Sequence, residues 1–394
     1  MTFDLTDPPR GFLDDPYPTY AWLRDRAPAC VQRDGSFVIS RHADLDRIYR
    51  DTDTYISDKK RVFGPKFGLG TPLYQHHTTS LVFNDPPLHS RVRRVMTGAM
   101  TPRALAQMEP GLHSLVTRLL DDLPAKPDLI ADYAARIPIE VIGNLLGLPP
   151  DSRDPLRDWS LAILGALEPV LTPEQHATGN QAVTDFLGYL RAIIEDRRAN
   201  PRDPETDVLT RLIQSDDDGG LSEDELYQNC IFILNAGHET TTNLIGNALN
   251  WLSHDRATRN HLIANPDLMA GATDEFLRLE SPNQFGNRLT TKDITLHGTN
   301  IPKGTDLHLC IGAANRDPAQ FDQPDQLNPN RKPNRHLAFA GGPHTCVGLT
   351  LARMEGRIAL DHFLKRFPDY TITNATRSNR IRFRGFTRLQ STLT

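Results

Sequence analysis

The segment Phe339-Ala340-Gly341-Gly342-Pro343-His344-Thr345-Cys346-Val347-Gly348 decides how the rest of this chain is interpreted. Gly341, Gly342 and Pro343 allow the backbone to turn sharply, and an apolar helical pattern follows directly. Cys346 therefore lies at a helix N-terminus, where the helix dipole and free N–H groups stabilise a thiolate. A thiolate in a tight, amide-lined loop is the axial ligand that a haem iron needs. For a lone cysteine a buried structural role is more common, but the surrounding loop favours the ligand role.

A long helical pattern precedes this loop. The sequence LSEDELYQNCIFILNAGHETTTNLIGNALNWLSHD, which begins at Leu221, contains no stop signal until about Ser253, and Ser222 with Glu225 forms a capping box at its start. About 32 residues at 1.5 Å each predict a helix of about 48 Å. A helix of this length is expected to cross the molecule with its middle buried.

The remaining pattern predicts many helices and little sheet. Two apolar runs around Asp34-Gly35 predict a β-hairpin, and alternation in 287–312 and 370–394 predicts short antiparallel strands. Residues 60–82 have no sustained period and predict a long loop. The strands do not alternate with helices, which excludes a doubly wound parallel sheet. We predict a mainly α chain with small antiparallel sheets, forming one domain over residues 1–394.

Composition bounds the class of protein. The chain has 394 residues, of which 38% are hydrophobic and 24% charged, as is typical of a globular protein. Its net charge of −5 argues against wholesale nucleic-acid binding. The longest charge-free apolar stretch, WSLAILGAL, is too short to span a membrane. The four cysteines have no CxxC spacing, which disfavours a disulfide framework or a zinc ribbon. The N-terminal segment does not resemble a signal peptide, so we expect a cytoplasmic protein.

Taken together, these segments resemble the cytochrome P450 haem-thiolate monooxygenases. The family loop reads Phe-Gly-x-Gly-x-His/Arg-x-Cys-x-Gly, and Ala340 stands where the family usually has glycine. Three further segments match in the family's order: Asp-Pro-Pro-x-His-x-x-x-Arg at 85–93, Ala-Gly-x-Glu-Thr-Thr at 236–241 and Glu-x-x-Arg at 275–278. The resemblance covers essentially the whole chain and is greatest to the soluble bacterial class.

The resemblance implies one haem b (iron protoporphyrin IX) per chain and a cytochrome P450 fold whose long central helix passes over the haem. It assigns residues to the cofactor as follows: Cys346 as the iron ligand, His89, Arg93, Arg288 and His344 at the propionates, and Phe339, Ala236 and Gly237 beside the haem. It further implies that Glu239 and Thr240 relay protons. Glu275 and Arg278 would form a buried lock, with Arg331 or Arg335 as the third member.

The activity implied by the resemblance is that of a monooxygenase, an oxidoreductase that inserts one atom of dioxygen into a small, largely apolar organic substrate. Hydroxylation or O-dealkylation is expected, with electrons from a ferredoxin or flavodoxin and its reductase, in a monomer without nucleic-acid or membrane partners. The alternatives are a non-catalytic haem-thiolate gas or redox sensor and peroxide-driven chemistry. The Glu239-Thr240 pair favours the monooxygenase, because a sensor needs no proton relay. A zinc hydrolase is excluded because the HExxH pattern that His238-Glu239 begins ends at Thr242.

The sequence does not name the substrate. Side chains expected near it are mostly apolar, as ligand pockets usually are: Leu81, Val82, Ile231, Leu234, Phe285 and Phe386. His76, His77 and Arg384 are either a polar or cationic handle for the substrate or solvated surface residues. A basic patch for an acidic electron donor is expected from Arg91, Arg94, Arg353 and Arg357.

Overall fold

The computed structural model of the protein describes residues 2–204, 207–215 and 220–393, apart from the side chains of residues 99 and 102. The α-helices within these ranges are α1 (Tyr17–Arg26), α2 (His42–Arg50), α3 (Lys60–Phe67), α4 (Pro72–Thr79), α5 (Leu88–Ala99), α6 (Pro102–Asp121), α7 (Arg136–Leu145), α8 (Leu156–Gly165), α9 (Pro173–Ala199), α10 (Val208–Ile213), α11 (Glu223–His254), α12 (Arg256–Ala264), α13 (Met269–Leu279), α14 (Ile311–Ala314) and α15 (Leu349–Arg366). The strands are β1 (Ala29–Val31), β2 (Phe37–Ile39), β3 (Tyr55–Ile56), β4 (Phe285–Thr290), β5 (Ile294–Leu296), β6 (Thr299–Ile301), β7 (Asp306–Cys310), β8 (Thr371–Arg377) and β9 (Phe386–Thr392). A mainly α chain with minor β is therefore confirmed.

The chain forms two compact units. The first comprises residues 1–56, 115–134 and 240–394, and the second comprises residues 57–114 and 135–239. The first contains the strands named above and the Cys346 loop, and the second is helical. Two of the four boundaries along the chain fall within helices, between residues 114 and 115 of α6 and between residues 239 and 240 of α11. That residues 1–394 form one domain stays a prediction.

The main sheet of the first unit has five strands in the order β1-β2-β7-β4-β3. The predicted hairpin is confirmed, with β1 antiparallel to β2 and Cys30 opposite Val38. The sheet departs from prediction at one place, because β2 and β7 are parallel. Alternation along a sequence predicts a strand but not its partner, and these two strands are far apart in the chain. The tail strands β8 and β9 pair antiparallel, as predicted.

The long helix is also confirmed. It covers 32 residues as α11, and its N-terminus has the predicted capping box. The Glu225 N–H donates to Ser222 Oγ at 3.2 Å, and the Ser222 N–H donates to Glu225 Oε2 at 2.8 Å. Most side chains from 226 to 249 are buried. The apolar run and the capping signal together determine this element.

The predicted long loop at 60–82 is wrong. These residues form α3 and α4, joined by a short turn in which Gly68 and Gly70 have φ of 83° and 77°. Thr71 caps α4 by accepting a hydrogen bond from the Tyr74 N–H at 3.3 Å, and Pro72 occupies the first helical position. Both helices are short and partly polar, so their packing stabilises them more than their weak periodicity indicates.

Membrane spanning finds no support among the helices. Within the described ranges, none of them combines the length and the apolarity that a bilayer crossing needs.

Glu355, on α15, is a buried acid that the sequence did not single out. It is 2% exposed, and its Oε2 has no hydrogen-bond partner among the described residues. Burial raises the pKa of the Glu355 carboxyl to about 8, whereas an unfolded glutamate titrates near ~4.3. Between these two values the folded protein holds one more proton than the unfolded chain.

We expect Glu355 to contribute a fall in stability as the pH rises from about 5 to about 8, because unfolding then releases its proton. The buried His76 and His77, whose pKa values are lowered, contribute with the opposite sign below their unfolded value of ~6.5. Glu355→Gln keeps the shape and the neutral state and removes this contribution of Glu355, so its free energy of unfolding relative to the wild type should rise across this window. The measurement is the free energy of unfolding in urea at several pH values. Glu223→Gln is the control, because hydrogen bonds from Arg198 lower the pKa of Glu223 and it does not titrate in this window. Equal slopes for Glu355→Gln and the wild type would contradict the prediction.

Candidate functional site

The Cys346 loop is a tight turn fixed by its own backbone. Residues Gly342–His344 form one turn of 3-10 helix, and the Cys346 N–H donates to the Phe339 carbonyl at 3.0 Å. The Thr345 N–H and hydroxyl both donate to the Gly342 carbonyl, at 3.0 and 2.7 Å. Helix α15 begins at Leu349, so Cys346 precedes its N-terminus. The loop thus presents Cys346 in the setting that the sequence predicts.

Two residues of this loop have left-handed backbone. Gly342 has φ of 65°, and a Cβ there would lie 2.2 Å from the Tyr49 carbonyl oxygen. Ala340 has φ of 56°, a conformation that costs an L-residue with a side chain roughly 1–2 kcal/mol. This explains in physical terms why glycine suits position 340. Ala340, which stands where the family usually has glycine, therefore has a strained backbone.

Cys346 differs from the other three cysteines in its accessibility. Cys30, Cys230 and Cys310 are buried, whereas Cys346 is partly exposed. Burial raises the pKa of both Cys230 and Cys310 to about 12. These two thiols stay protonated and inert, so Cys346 is the cysteine suited to bind an iron.

Tyr49, on α2, connects the loop to Arg288 and was missed by sequence reasoning. Its backbone lies against Gly342, and the Arg288 guanidinium lies 5.1 Å from its ring centroid. Arg288 is 5% exposed on β4. A buried cation next to the thiol loop suits a haem propionate, and His344 lies in the same loop. Tyr49 sits in an ordinary amphipathic helix, so no sequence signal distinguishes it.

The other two predicted propionate partners lie on α5 in the second unit. His89 is 2% exposed, and Arg93 follows one turn later and is half-buried. The i, i+4 spacing places both on one face of the helix, as predicted. An imidazole and a guanidinium on one helix face suit a carboxylate such as a haem propionate.

The predicted lock is assembled in the first unit. Glu275 and Arg278 are fully buried and joined by two hydrogen bonds of 2.6 and 2.8 Å. The third member is Arg331, whose Nε donates to Glu275 at 3.1 Å. Arg335 instead provides a backbone carbonyl to His42. Burial alone would raise the pKa of Glu275, but the bonds from Arg278 hold it below its usual range.

The small residues of α11 have a packing role that the sequence did not reveal. A Cβ at Gly237 would lie 2.1 Å from Ile142 Cδ1 of α7, so the missing side chain admits Ile142. Ala236 is half-buried, and the helix continues without interruption through both residues. Glu239 is 5% exposed, and Thr240 follows it. Gly237 is therefore needed for helix packing in the second unit, whatever it does for the cofactor.

His76 and His77 are buried, so their assignment to the solvated surface is wrong. Each is 2% exposed, and His77 stacks on Phe67 with a centroid distance of 5.1 Å. His76 Nδ1 lies 3.0 Å from Gln228 Oε1. Burial lowers the pKa of His76 to about 4 and that of His77 well below its usual range. Both rings are neutral at pH 7, which removes them as cationic handles.

Arg384 is likewise buried, at 7% exposed. Its Nε donates to Glu280 at 2.8 Å, and its terminal nitrogens donate to the carbonyls of Leu13 and Asp14. All of its guanidinium nitrogens are engaged within the fold. The surface assignment is wrong here too, and an orienting contact with a substrate finds no support.

The apolar side chains expected near the substrate are buried or half-buried. Phe285 packs against Tyr20 in the first unit, and Phe386 lies under the Arg377 guanidinium at 3.9 Å. The buried ones of the second unit are Leu81, Ile231 and Leu234, and Val82 there is half-buried. That they contact a substrate stays a prediction.

Asn235 is a further residue that sequence reasoning missed. It is 1% exposed on α11, and neither atom of its amide has a hydrogen-bond partner among the described residues. Leaving such a group buried and unpaired costs about 1–3 kcal/mol. A polar residue inside the apolar run IFILNAG was the signal that could have revealed it.

Known proteins resemble this chain along most of its length. Residues 161–372 match the family model described as Cytochrome P450. Biotin biosynthesis cytochrome P450 of Bacillus subtilis (strain 168) is 31% identical over 390 residues, which cover 95% of this chain and 94% of the relative. Vitamin D(3) 25-hydroxylase of Pseudonocardia autotrophica is 34% identical over 376 residues, covering 92% and 88%. The crystal structure of P450BioI in complex with hexadec-9Z-enoic acid ligated acyl carrier protein superposes with a TM-score of 0.90 at 30% identity, covering 97% and 99%.

The two left-handed residues of the Cys346 loop predict opposite mutational effects. Ala340→Gly should raise the free energy of unfolding by about 0.5–1 kcal/mol, because relief of strain exceeds the entropy gained by the unfolded chain. Gly342→Ala should lower it, because the new Cβ meets the Tyr49 carbonyl. Thermal unfolding of the haem-loaded protein measures both changes.

Gly298→Ala is the matched control for Gly342→Ala. Gly298 has φ of 77°, but a Cβ there would meet nothing within 4 Å, so only the backbone strain applies. Gly342→Ala should therefore be the more destabilising substitution. Equal losses for the two variants, or a loss for Ala340→Gly, would be inconsistent with this account of the loop.

Proposed function

Because the chain belongs to the cytochrome P450 family, we propose that it hydroxylates or O-dealkylates a small, largely apolar organic molecule. Membership makes it a monooxygenase, an oxidoreductase with haem b as its cofactor. A ferredoxin or flavodoxin with its reductase is the proposed source of electrons. The observation that carries the proposal is that Cys346 is partly exposed in a tight loop, whereas the other three cysteines are buried. Bound haem with a thiolate ligand supplies the activation of dioxygen.

The proposed roles of the residues follow from their chemistry. Cys346 would ligate the iron, and Arg288 and His344 of the first unit would bind propionates. His89 and Arg93 of the second unit would do the same from α5. Charge-assisted hydrogen bonds to a carboxylate are about twice as strong as neutral ones, so these contacts would retain the cofactor. Glu239 and Thr240 would pass protons to the oxygen site, because a carboxylate next to a hydroxyl is able to relay them.

The basic patch proposed for the electron donor includes two arginines that are engaged in ion pairs. Arg91 pairs with Glu225, and Arg353 pairs with Asp274. Two of its four charges are thus partly neutralised. Docking of an acidic donor on such arginines would show the salt dependence typical of charge-steered encounters.

The polar handle for a substrate is better assigned to Asn235. The two histidines are neutral and Arg384 is engaged, whereas the Asn235 amide has a donor and an acceptor to offer. A substrate with a hydroxyl or amide group would satisfy it while its apolar part fills the site. We therefore propose a mostly apolar substrate with one neutral polar group.

Removal of Cys346 tests the proposed function. The reduced protein under carbon monoxide should show the strongly red-shifted Soret band of thiolate ligation, and Cys346→Ala should lose it. Cys30→Ser is the control and should keep the band. A wild-type spectrum typical of histidine ligation would overturn the assignment. Absence of any oxygenated product from reduced, substrate-bound protein would favour the sensor.

Thr240→Ala should change proton delivery without changing haem binding. The carbon monoxide spectrum should stay as in the wild type, while reducing equivalents are diverted to hydrogen peroxide. Loss of a placed proton donor typically costs about 10²–10⁴-fold in rate. Hydrogen peroxide and product per electron are measured with the compound that gives the largest spin-state change in a screen of small organic molecules. Thr242→Val is the control. Unchanged product per electron in Thr240→Ala would remove the relay.

Asn235→Leu tests the polar handle with 1-decanol and decane as probes. The wild type should bind the alcohol about 5–10-fold more tightly, because one hydrogen bond contributes about 1 kcal/mol. Asn235→Leu should lose this preference and bind decane at least as well as before. Spin-state titrations give both dissociation constants. A wild type that does not distinguish the probes, or a variant that still does, would contradict the proposal.

A further inference from the structure

Two side chains of the first unit contact the ring of Phe339, the residue that begins the Cys346 loop, and a third side chain holds both of them. Asp274 of α13 accepts a hydrogen bond from Arg353 Nε of α15 at 2.7 Å. Its Oδ1 also lies 3.4 Å from His336 Nε2. Burial alone would raise the pKa of Asp274, but these hydrogen bonds hold it below its usual range. One ionised carboxylate therefore holds two side chains that come from different segments.

The two side chains held by Asp274 both contact the Phe339 ring. The Arg353 guanidinium lies over it at 5.0 Å from the centroid, and the His336 ring lies at 5.7 Å with a tilt of 48°. Cation–π and tilted aromatic contacts of this kind are each favourable. The ring is thus held between a cation and an imidazole, and Asp274 fixes the position of both.

The tautomer of His336 follows from its partners. Its Nδ1 accepts a hydrogen bond from the Ala338 N–H at 3.3 Å, so the ring proton is on Nε2, which faces Asp274. The His336 side chain is 1% exposed. An imidazole with both nitrogens engaged is held in one orientation, which suits it to position a neighbour.

Phe339 also has a direct contact with the proposed iron ligand. Its carbonyl accepts the hydrogen bond from the Cys346 N–H at 3.0 Å. The backbone of Phe339 therefore sets where the Cys346 peptide lies, while the ring of Phe339 is fixed by the group around Asp274. A displacement of the ring would be transmitted to Cys346 through one residue.

We propose that Asp274, His336 and Arg353 form a clamp on Phe339 that positions the Cys346 thiolate toward the iron. They are positioning residues, which act on the ligand through Phe339. The inference rests on thiolate ligation, which Cys346→Ala tests independently. It also gives Arg353 a role other than docking an electron donor.

Variants at both ends of the Asp274–Arg353 ion pair test the clamp. The readout is the rate at which the ferrous carbon monoxide complex loses its red-shifted thiolate band. Asp274→Asn and Arg353→Met should each accelerate this loss about tenfold, which corresponds to about 1.4 kcal/mol. Arg357→Met, which removes a cation one turn further along α15, should decay like the wild type. Haem content per chain is checked beforehand so that misfolded protein is not counted.

Asp274→Asn separates the clamp from docking. It keeps the Arg353 cation and removes its partner, so a docking role alone predicts unchanged decay and reduction by the donor that is unchanged or faster. The clamp predicts faster decay. If Asp274→Asn decays like the wild type, the clamp is overturned, whatever Arg353→Met does. Absence of the thiolate band from the freshly reduced wild-type protein would instead overturn the proposed function.

A second background tests whether Phe339 transmits the effect. Phe339→Leu removes the ring that the clamp holds, so Asp274→Asn should add less than twofold to the decay rate in that background. Residues that act through one shared partner are non-additive in this way. A full tenfold effect of Asp274→Asn in the Phe339→Leu protein would exclude Phe339 as the intermediary.

Discussion

The buried carboxylate of Glu275 is the constraint on which the course of the backbone that leads to Cys346 depends. It accepts hydrogen bonds from Arg278, from Arg331, from the Asn334 amide and from the Asn328 backbone. Arg278 in turn donates to the carbonyls of Asn315 and Gln326. Irregular backbone between β7 and Cys346 is thus held by charge where no ladder of strand or helix bonds is available. Removing one partner of such a buried pair typically costs about 3–5 kcal/mol. The backbone segment before Cys346 is therefore held in one conformation.

The sequence predicted those elements whose signals are local. The capping box at Ser222 and the apolar run after it determine α11, and Asp34-Gly35 marks the β1–β2 turn, where Gly35 has φ of 82°. It failed where tertiary contacts decide. Helix α4 depends on tertiary packing, in which Leu73 is buried and the His77 ring stacks on Phe67. The parallel pairing of β2 with β7 joins segments that no local pattern relates. The motif residues were found from their types and spacing, but Tyr49 and Asn235 matter only through their neighbours.

A residue of a functional motif can be required by the cofactor site, by the packing of the fold, or by both. The structure shows which motif residues are required by packing. Gly237 lies in the segment expected beside the cofactor, yet its missing side chain is needed for Ile142. Gly342 gives the loop its turn and also lets the Tyr49 carbonyl approach. Ala340 is the opposite case. Its methyl group strains the backbone at φ of 56°, and the Cys346 thiol does not require that methyl group. A match to a motif therefore does not show whether packing or cofactor binding requires a given residue type.

Several arginines of this chain are buried within the fold. The sequence suggests that arginines bind anions or form a docking surface, but several of them donate their hydrogen bonds to groups within the fold. Arg153 donates to the Leu148 carbonyl and to Glu140, and Arg316 donates to the Leu279 carbonyl and to Glu280. A guanidinium has five N–H donors in a fixed fork. Arg278 uses them to satisfy the carbonyls of Asn315 and Gln326, which lie outside helices and strands. Buried arginines thus do for the irregular segments what backbone ladders do for regular ones, and a count of basic residues overstates the charge available to partners.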